Sequence, residues 1–212
     1  VPVSNQPMIA TPSIIPSPLT IETLTIGDNS LCDPTVSTLH LSNLPNLKSI
    51  EIGDNCGVTI SVVLLEFLDS FHSLRIGKKS FTTCESNWPI ERSNRTFTIH
   101  HCLALESIEI GKSSFSDYSS FSLTDLPFLS TLSLQSHSFI FSPILSLTNL
   151  PKLKSVLLGQ CCFYYCHSIR FENLPLLQFL TLQWGALRGD DRKDRKRIDS
   201  PPYDFSNSLQ MK

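Results

Sequence analysis

Leu47-Lys48-Ser49-Ile50-Glu51-Ile52-Gly53-Asp54-Asn55-Cys56 returns as Leu105-Glu106-Ser107-Ile108-Glu109-Ile110-Gly111-Lys112-Ser113-Ser114-Phe115. Further copies begin at Ile21, Phe71, Leu129, Leu153 and Leu177, so the motif recurs in steps of 26, 24, 34, 24, 24 and 24 residues. A repeat of this size cannot bury its apolar face alone and does so by stacking on its neighbours, which makes the chain a solenoid. Each copy has two apolar stretches. The first reads L-x-x-[IL]-x-[IL], as at Leu129, Leu132 and Leu134, and its end alternates like a half-buried strand. The second, Phe121 to Leu129, alternates before reaching [ND]-L-P and has counterparts at Leu39–Leu47, Leu145–Leu153 and Ile169–Leu177. Asn43, Asp125, Asn149 and Asn173 stand two residues before a Pro, where a short polar side chain suits a turn. Phe81, Phe115, Phe139 and Phe163 are predicted to fill the coil interior, and Gly27, Gly53, Gly77, Gly111 and Gly159 to make tight exits from the first strand.

No segment carries a capped 3.6-residue apolar stripe. The expected fold is therefore a mainly β solenoid of about seven coils of ~24 residues, with stacked parallel sheets and little or no helix. Three regions are expected. Residues 1–18 form a Pro/Ser-rich linker or degenerate first coil, 19–187 the solenoid with an insertion at 82–96, and 188–212 a charged, disordered tail.

The phrase L-x-x-L-x-L-x-x-N, matched by Leu47, Ile50, Ile52 and Asn55 and by Ile21, Leu24, Ile26 and Asn29, resembles the leucine-rich repeat. Later copies place Lys79, Ser113, His137, Cys161 and Gly185 at the Asn position. The I-x-I-G-x-x-[SC]-F phrase and the Cys102-Leu103-Ala104-Leu105 variant look closer to the BspA-like repeats of microbial surface proteins. That resemblance covers about residues 19–187. It implies a leucine-rich-repeat protein engaged in protein–protein interaction, adhesion or surface display, with no catalytic residues to carry over.

Composition narrows the function. Charged residues are 17% and hydrophobic residues 41% of the 212, and the net charge is −2. No basic surface suited to nucleic acid is implied, and no apolar run reaches the ~20 residues of a membrane span. The absence of an initiator Met or signal peptide suggests a fragment or processed product. No G-x-S-x-G, phosphate loop or nucleophile–base set is present, so the chain is expected not to be an enzyme and to need no cofactor.

The one copy longer than its siblings holds Trp88, Pro89, Glu91, Arg92 and Arg95. Trp and Arg are common binding anchors, and long loops carry function more often than short ones. The expected partner site is Trp88, Arg92 and Arg95 with Arg75 and Glu109 of the neighbouring strand face; the alternative is an inert insertion. Glu51, Arg75 and Glu109 on successive coils should form a charge ladder. Asn94-Arg95-Thr96 is an N-x-[ST] acceptor, making Asn94 a possible glycosylation site.

Seven cysteines with irregular spacing imply no disulfide framework. Cys56 and Cys162 take the slot of Ser30, Ser80, Ser114 and Ser138, and Cys102 that of a turn Leu, so they read as small buried fillers. Cys161, Cys162, Cys166 and His167 lack the paired arms of a zinc site, and no metal is expected. Arg188-Gly189-Asp190 and the basic run Arg192–Arg197 are expected to be solvated tail, with adhesion and nuclear import as the functional alternatives. Three functions stay open: a surface or secreted binding scaffold, a structural segment of a longer array, and an intracellular adaptor. The cell surface or extracellular space is favoured over the cytoplasm.

Overall fold

The structure is a computed structural model that describes residues 21–83 and 94–189 and the backbone of 209–211. One parallel sheet, here sheet A, runs β1 (Thr23–Ile26), β3 (Ser49–Ile52), β5 (Ser73–Ile76), β7 (Ser107–Ile110), β9 (Thr131–Leu134), β11 (Ser155–Leu158) and β13 (Phe179–Leu182). The other, sheet B, runs β2 (Thr38–Ser42), β4 (Val62–Glu66), β6 (Thr96–His100), β8 (Ser120–Thr124), β10 (Ile144–Thr148), β12 (Ser168–Glu172) and β14 (Leu209–Met211). The chain alternates between sheets, so each strand pairs in parallel with its counterpart one coil away. This is a β-solenoid of stacked ~24-residue coils, with no helix among the described residues.

The strand register is the one the apolar alternation predicts. Ile50, Leu74, Ile108, Leu132 and Val156 align in one inward column and Ile52, Ile76, Ile110, Leu134 and Leu158 in the next, all buried. Glu51, Arg75, Glu109 and Ser133 project from the opposite face. Leu132→Ala should therefore cost about 2–5 kcal/mol through lost burial and a residual cavity. Ser133→Ala, one residue along, should stay within about 0.5 kcal/mol. Chemical denaturation of both variants tests the register, since a one-residue slip would exchange the two effects.

Between the sheets the aromatic rings form two stacks. Phe81, Phe115, Phe139 and Phe163 lie face to face at 4.8, 4.9 and 5.3 Å between centroids, and Phe97 stacks on Phe121 at 5.2 Å. The stacks meet edge to face, Phe97 against Phe115 at 4.9 Å and Phe121 against Phe139 at 4.8 Å. All six rings are fully buried.

The corners are left-handed. Asn29, Asn55, Lys79, Ser113, His137, Cys161 and Gly185 have positive φ, as do the Phe column and Asn43, Asp125, Asn149 and Asn173 before the Pro turns. The chain bends there through the left-handed region, which Asn and Asp tolerate better than other residues. The Phe residues do not, and they hold it because the bend drives the ring into the core. Gly57 occupies the Phe column one coil before Phe81, whose ring carbons lie 2.6 Å from where a Gly57 Cβ would stand.

One expectation changes. Gly53, Gly77, Gly111 and Gly159 are not in the left-handed region; they are small because the preceding coil touches them. A Cβ on Gly77 would lie 2.5 Å from the Gly53 carbonyl carbon, and one on Gly111 2.5 Å from that of Gly77. Residues 209–211 add an edge strand to sheet B. The β14 strand pairs with β12 through Ile169 and Leu209, Arg170 and Gln210, and Phe171 and Met211, so part of the 188–212 segment belongs to sheet B.

Candidate functional site

The outward face of sheet A is built from small residues around a charged row. Ser49, Ser73, Ser107 and Thr131 lie on one side of Glu51, Arg75, Glu109 and Ser133, and the glycine column lies on the other. Two shallow depressions result. One, of about 630 Å³, follows the glycines past Asp28, Glu51, Asp54, Arg75 and Glu109. The other, of about 410 Å³, follows the hydroxyls past Ser73, Ser107 and Thr131. Arg75 Nε lies 3.6 Å from Glu109 Oε2, both side chains being largely exposed. No ion pair joins Arg75 to Glu51, so half of the expected ladder forms. An exposed contact of this kind contributes only about 0–1 kcal/mol and leaves the guanidinium accessible.

At the trough's rim, Asp28 Oδ1 accepts the Asp54 N–H at 2.7 Å, and Asp54 Oδ1 accepts the Lys78 N–H at 2.8 Å. The Lys78 backbone bond, with help from its side chain, holds the Asp54 carboxyl below the usual range. These carboxylates tie one coil to the next.

The insertion is anchored by a buried cluster. Arg95 Nη1 donates to Asp117 Oδ2 at 2.7 Å, and Thr83 donates to the same oxygen through Oγ1 at 2.7 Å and through its N–H at 3.3 Å. Arg95 also donates through Nη2 to the Val58 carbonyl and lies 5.4 Å from the centre of the Tyr118 ring. The Tyr118 hydroxyl donates to the Ile60 carbonyl at 2.7 Å, reaching across the coil that carries the insertion. Burial pushes that hydroxyl's pKa upward. Thr83 and Arg95, the described residues on either side of the insertion, are thus held on the same carboxylate.

This places the expected site residues differently from one another. Arg75 and Glu109 are exposed on sheet A. Arg95, expected to meet a partner's carboxylate, turns inward onto Asp117 and is almost fully buried. Asn94 is exposed beside it. Trp88 and Arg92 lie outside the described residues. The inward turn of Arg95 was not legible, because its partner Asp117 sits in a Ser-rich stretch that reads as coil filler.

A second polar cluster crosses the rim of sheet B. Glu66 Oε1 lies 2.8 Å from His40 Nε2, and its Oε2 lies 3.2 Å from His100 Nε2. His100 and His101 approach through their Nδ1 atoms at 2.8 Å, and His101 Nε2 lies 3.7 Å from Asp125. Phe67 stacks on the His101 ring at 5.3 Å. His100 and His101 are neighbours in the chain, while stacking of the coils brings His40 and Glu66 to them. No group of three or more His, Cys, Asp or Glu among the described residues is arranged to hold a metal ion.

The Ser slot is more than filler. Ser80, Ser114 and Ser138 hydroxyls donate to the Gly53, Gly77 and Gly111 carbonyls of the preceding coil at 2.8, 2.7 and 2.9 Å. Cys56 and Ser80 in turn donate their N–H groups to Ser80 and Ser114 Oγ at 3.1 Å. This buried ladder does in the corner what an Asn ladder would do. Its signal was the recurrence of a small donor at one slot.

Cys56, Cys102, Cys161, Cys162 and Cys166 are buried free thiols, and Cys32 is exposed. Burial is the main cause that pushes Cys102 up to about 11 and Cys162 and Cys166 up to about 12 from 9.0. An unfolded chain ionises these thiols first. Their contribution to stability is therefore complete below about pH 9 and is lost as pH rises toward 12. Alkylation of the native protein near neutral pH should label Cys32 rapidly and leave Cys102, Cys162 and Cys166 protected, as mass mapping would read. Equal labelling of Cys162 and Cys32 would contradict the buried ladder.

No family model, curated protein or solved structure matches this chain.

Proposed function

We propose that this chain is a non-enzymatic protein–protein interaction scaffold of the leucine-rich-repeat kind, BspA-like in style, displayed at a cell surface or secreted. The observation that carries the reading is the sheet A face. There an accessible Arg75–Glu109 pair lies between two shallow depressions lined by small residues. Such a face admits the backbone of a partner, while the charges select its sign and register. The insertion, whose flanking Thr83 and Arg95 both bond Asp117, adds Trp88 and Arg92 of the same repeat copy as candidate anchors. The exposed Asn94 is a candidate acceptor for a glycan.

The test separates the loop from its base. Residues 84–93 are deleted while Thr83 and Arg95 are kept, because neighbouring coils close without them. In a second variant Arg75→Glu reverses the central charge. Both variants should keep the wild-type melting temperature and lose partner capture from cell-surface extracts. Capture unchanged in both would remove the scaffold reading and leave a structural array segment.

A further inference from the structure

Three successive coils each bring a pair of residues to the rim of sheet B: Glu66-Phe67, His100-His101 and Thr124-Asp125. Glu66, His100 and Thr124 are in register at the ends of β4, β6 and β8. Phe67, His101 and Asp125 follow at the corner, with φ of 52°, 52° and 55°. On a strand, neighbouring side chains point to opposite faces. The left-handed corner at His101 breaks that alternation and turns its ring back beside the one before it. The Nδ1 atoms of His100 and His101 then lie 2.8 Å apart.

Each ring is held from its far side. His100 Nε2 lies 3.2 Å from Glu66 Oε2, and His101 Nε2 lies 3.7 Å from Asp125 Oδ2. The other Glu66 oxygen is taken by His40 Nε2 at 2.8 Å. Phe67 lies flat on the His101 ring and edge-on to the His100 ring, at 5.3 and 5.9 Å between centroids. A neutral imidazole has one N–H and one lone pair, and a carboxylate only accepts. Glu66 and Asp125 therefore draw the N–H groups to Nε2, the tautomer that carboxylate-backed histidines adopt when they ligate a metal. Two Nδ1 lone pairs then face one another, which is repulsive until a cation lies between them.

We propose that His100 and His101 chelate a divalent transition-metal ion through their two Nδ1 atoms, with Glu66 and Asp125 orienting the rings from behind. Imidazole nitrogen suits copper, nickel, zinc and iron rather than magnesium or calcium. With metal–nitrogen bonds of about 2.0–2.1 Å, nitrogens 2.8 Å apart subtend about 90° at the ion. That is the cis angle of a tetragonal site and is too narrow for tetrahedral zinc, so copper(II) fits best and nickel(II) next. The described residues add no third protein ligand. Water completes the coordination, and the His101 side chain, 49% exposed, admits it. The site lies on sheet B and is independent of the sheet A face.

Equilibrium dialysis and electron paramagnetic resonance of the full chain with copper(II) chloride test this. Accessible thiols are alkylated first, so that the exposed Cys32 does not reduce the ion. The wild type should hold one equivalent of copper(II) with two coupled nitrogens, and should bind nickel(II) ahead of zinc(II). Neighbouring coils supply substitutions that suit the fold. Asn43, Asn149 and Asn173 occupy the His101 slot with the same positive φ, and Thr124 and Thr148 occupy the His100 slot. His101→Asn and His100→Thr should each stay folded and lose the bound equivalent. Glu66→Gln keeps both nitrogens and should weaken copper about tenfold. No stoichiometric copper in the wild type, an unchanged equivalent in both histidine variants, or a spectrum without nitrogen coupling would each overturn the site and leave a shared proton between the rings.

Discussion

Phe115→Ala is expected to lower stability by about 3–5 kcal/mol, which equilibrium denaturation would measure. The ring sits between Phe81 and Phe139 at 4.8 and 4.9 Å and is also in edge contact with Phe97 and Tyr118. Its removal opens a cavity at the crossing of both aromatic stacks, and neighbours fixed by strand pairing cannot collapse into it. The backbone adds a second expectation. Phe115 has φ +55°, where a residue with a Cβ is disfavoured by about 1–2 kcal/mol relative to glycine. Phe115→Gly should therefore be no less stable than Phe115→Ala, against the usual order for the two residues. A glycine variant clearly less stable than the alanine variant would show that the corner is not left-handed in solution.

Asp117→Ala should cost about 3–5 kcal/mol, because it strands the buried Arg95 guanidinium and removes the acceptor of Thr83. Replacing both charges together, as Arg95→Met with Asp117→Leu, should be milder than Asp117→Ala alone, since no charge is then left uncompensated. A double-mutant cycle by thermal denaturation reads this coupling. Additive losses would mean that the insertion's base is held by packing alone. The pair also bears on function: a loop with a rigid base presents its residues with less entropy lost on binding.

These two sites differ in how far they could be read in advance. The Phe column was legible because one residue type recurs at one slot, and a solenoid places equal slots in one column. Arg95 and Asp117 occur once each, so no periodicity marks them. Arg95 was assigned outward from its place in a polar loop, and only the fold reveals a carboxylate beneath it. The Glu66 cluster with His40 and His100 is of the same kind, assembled from residues on three coils.

The amino-acid sequence by itself determined the coil length, the two strands per coil, their inward and outward rows, and the point where the period breaks. These follow from local alternation and from a translation of ~24 residues. Tertiary structure alone decided what lies between coils. It made the glycines necessary through a neighbour's backbone rather than through their own φ, turned Ser80, Ser114 and Ser138 into a hydrogen-bonded ladder, and drew Arg95 inward. Contacts between coils join residues about one coil length or more apart in the chain, and the register that brings them together exists only once the sheets have formed.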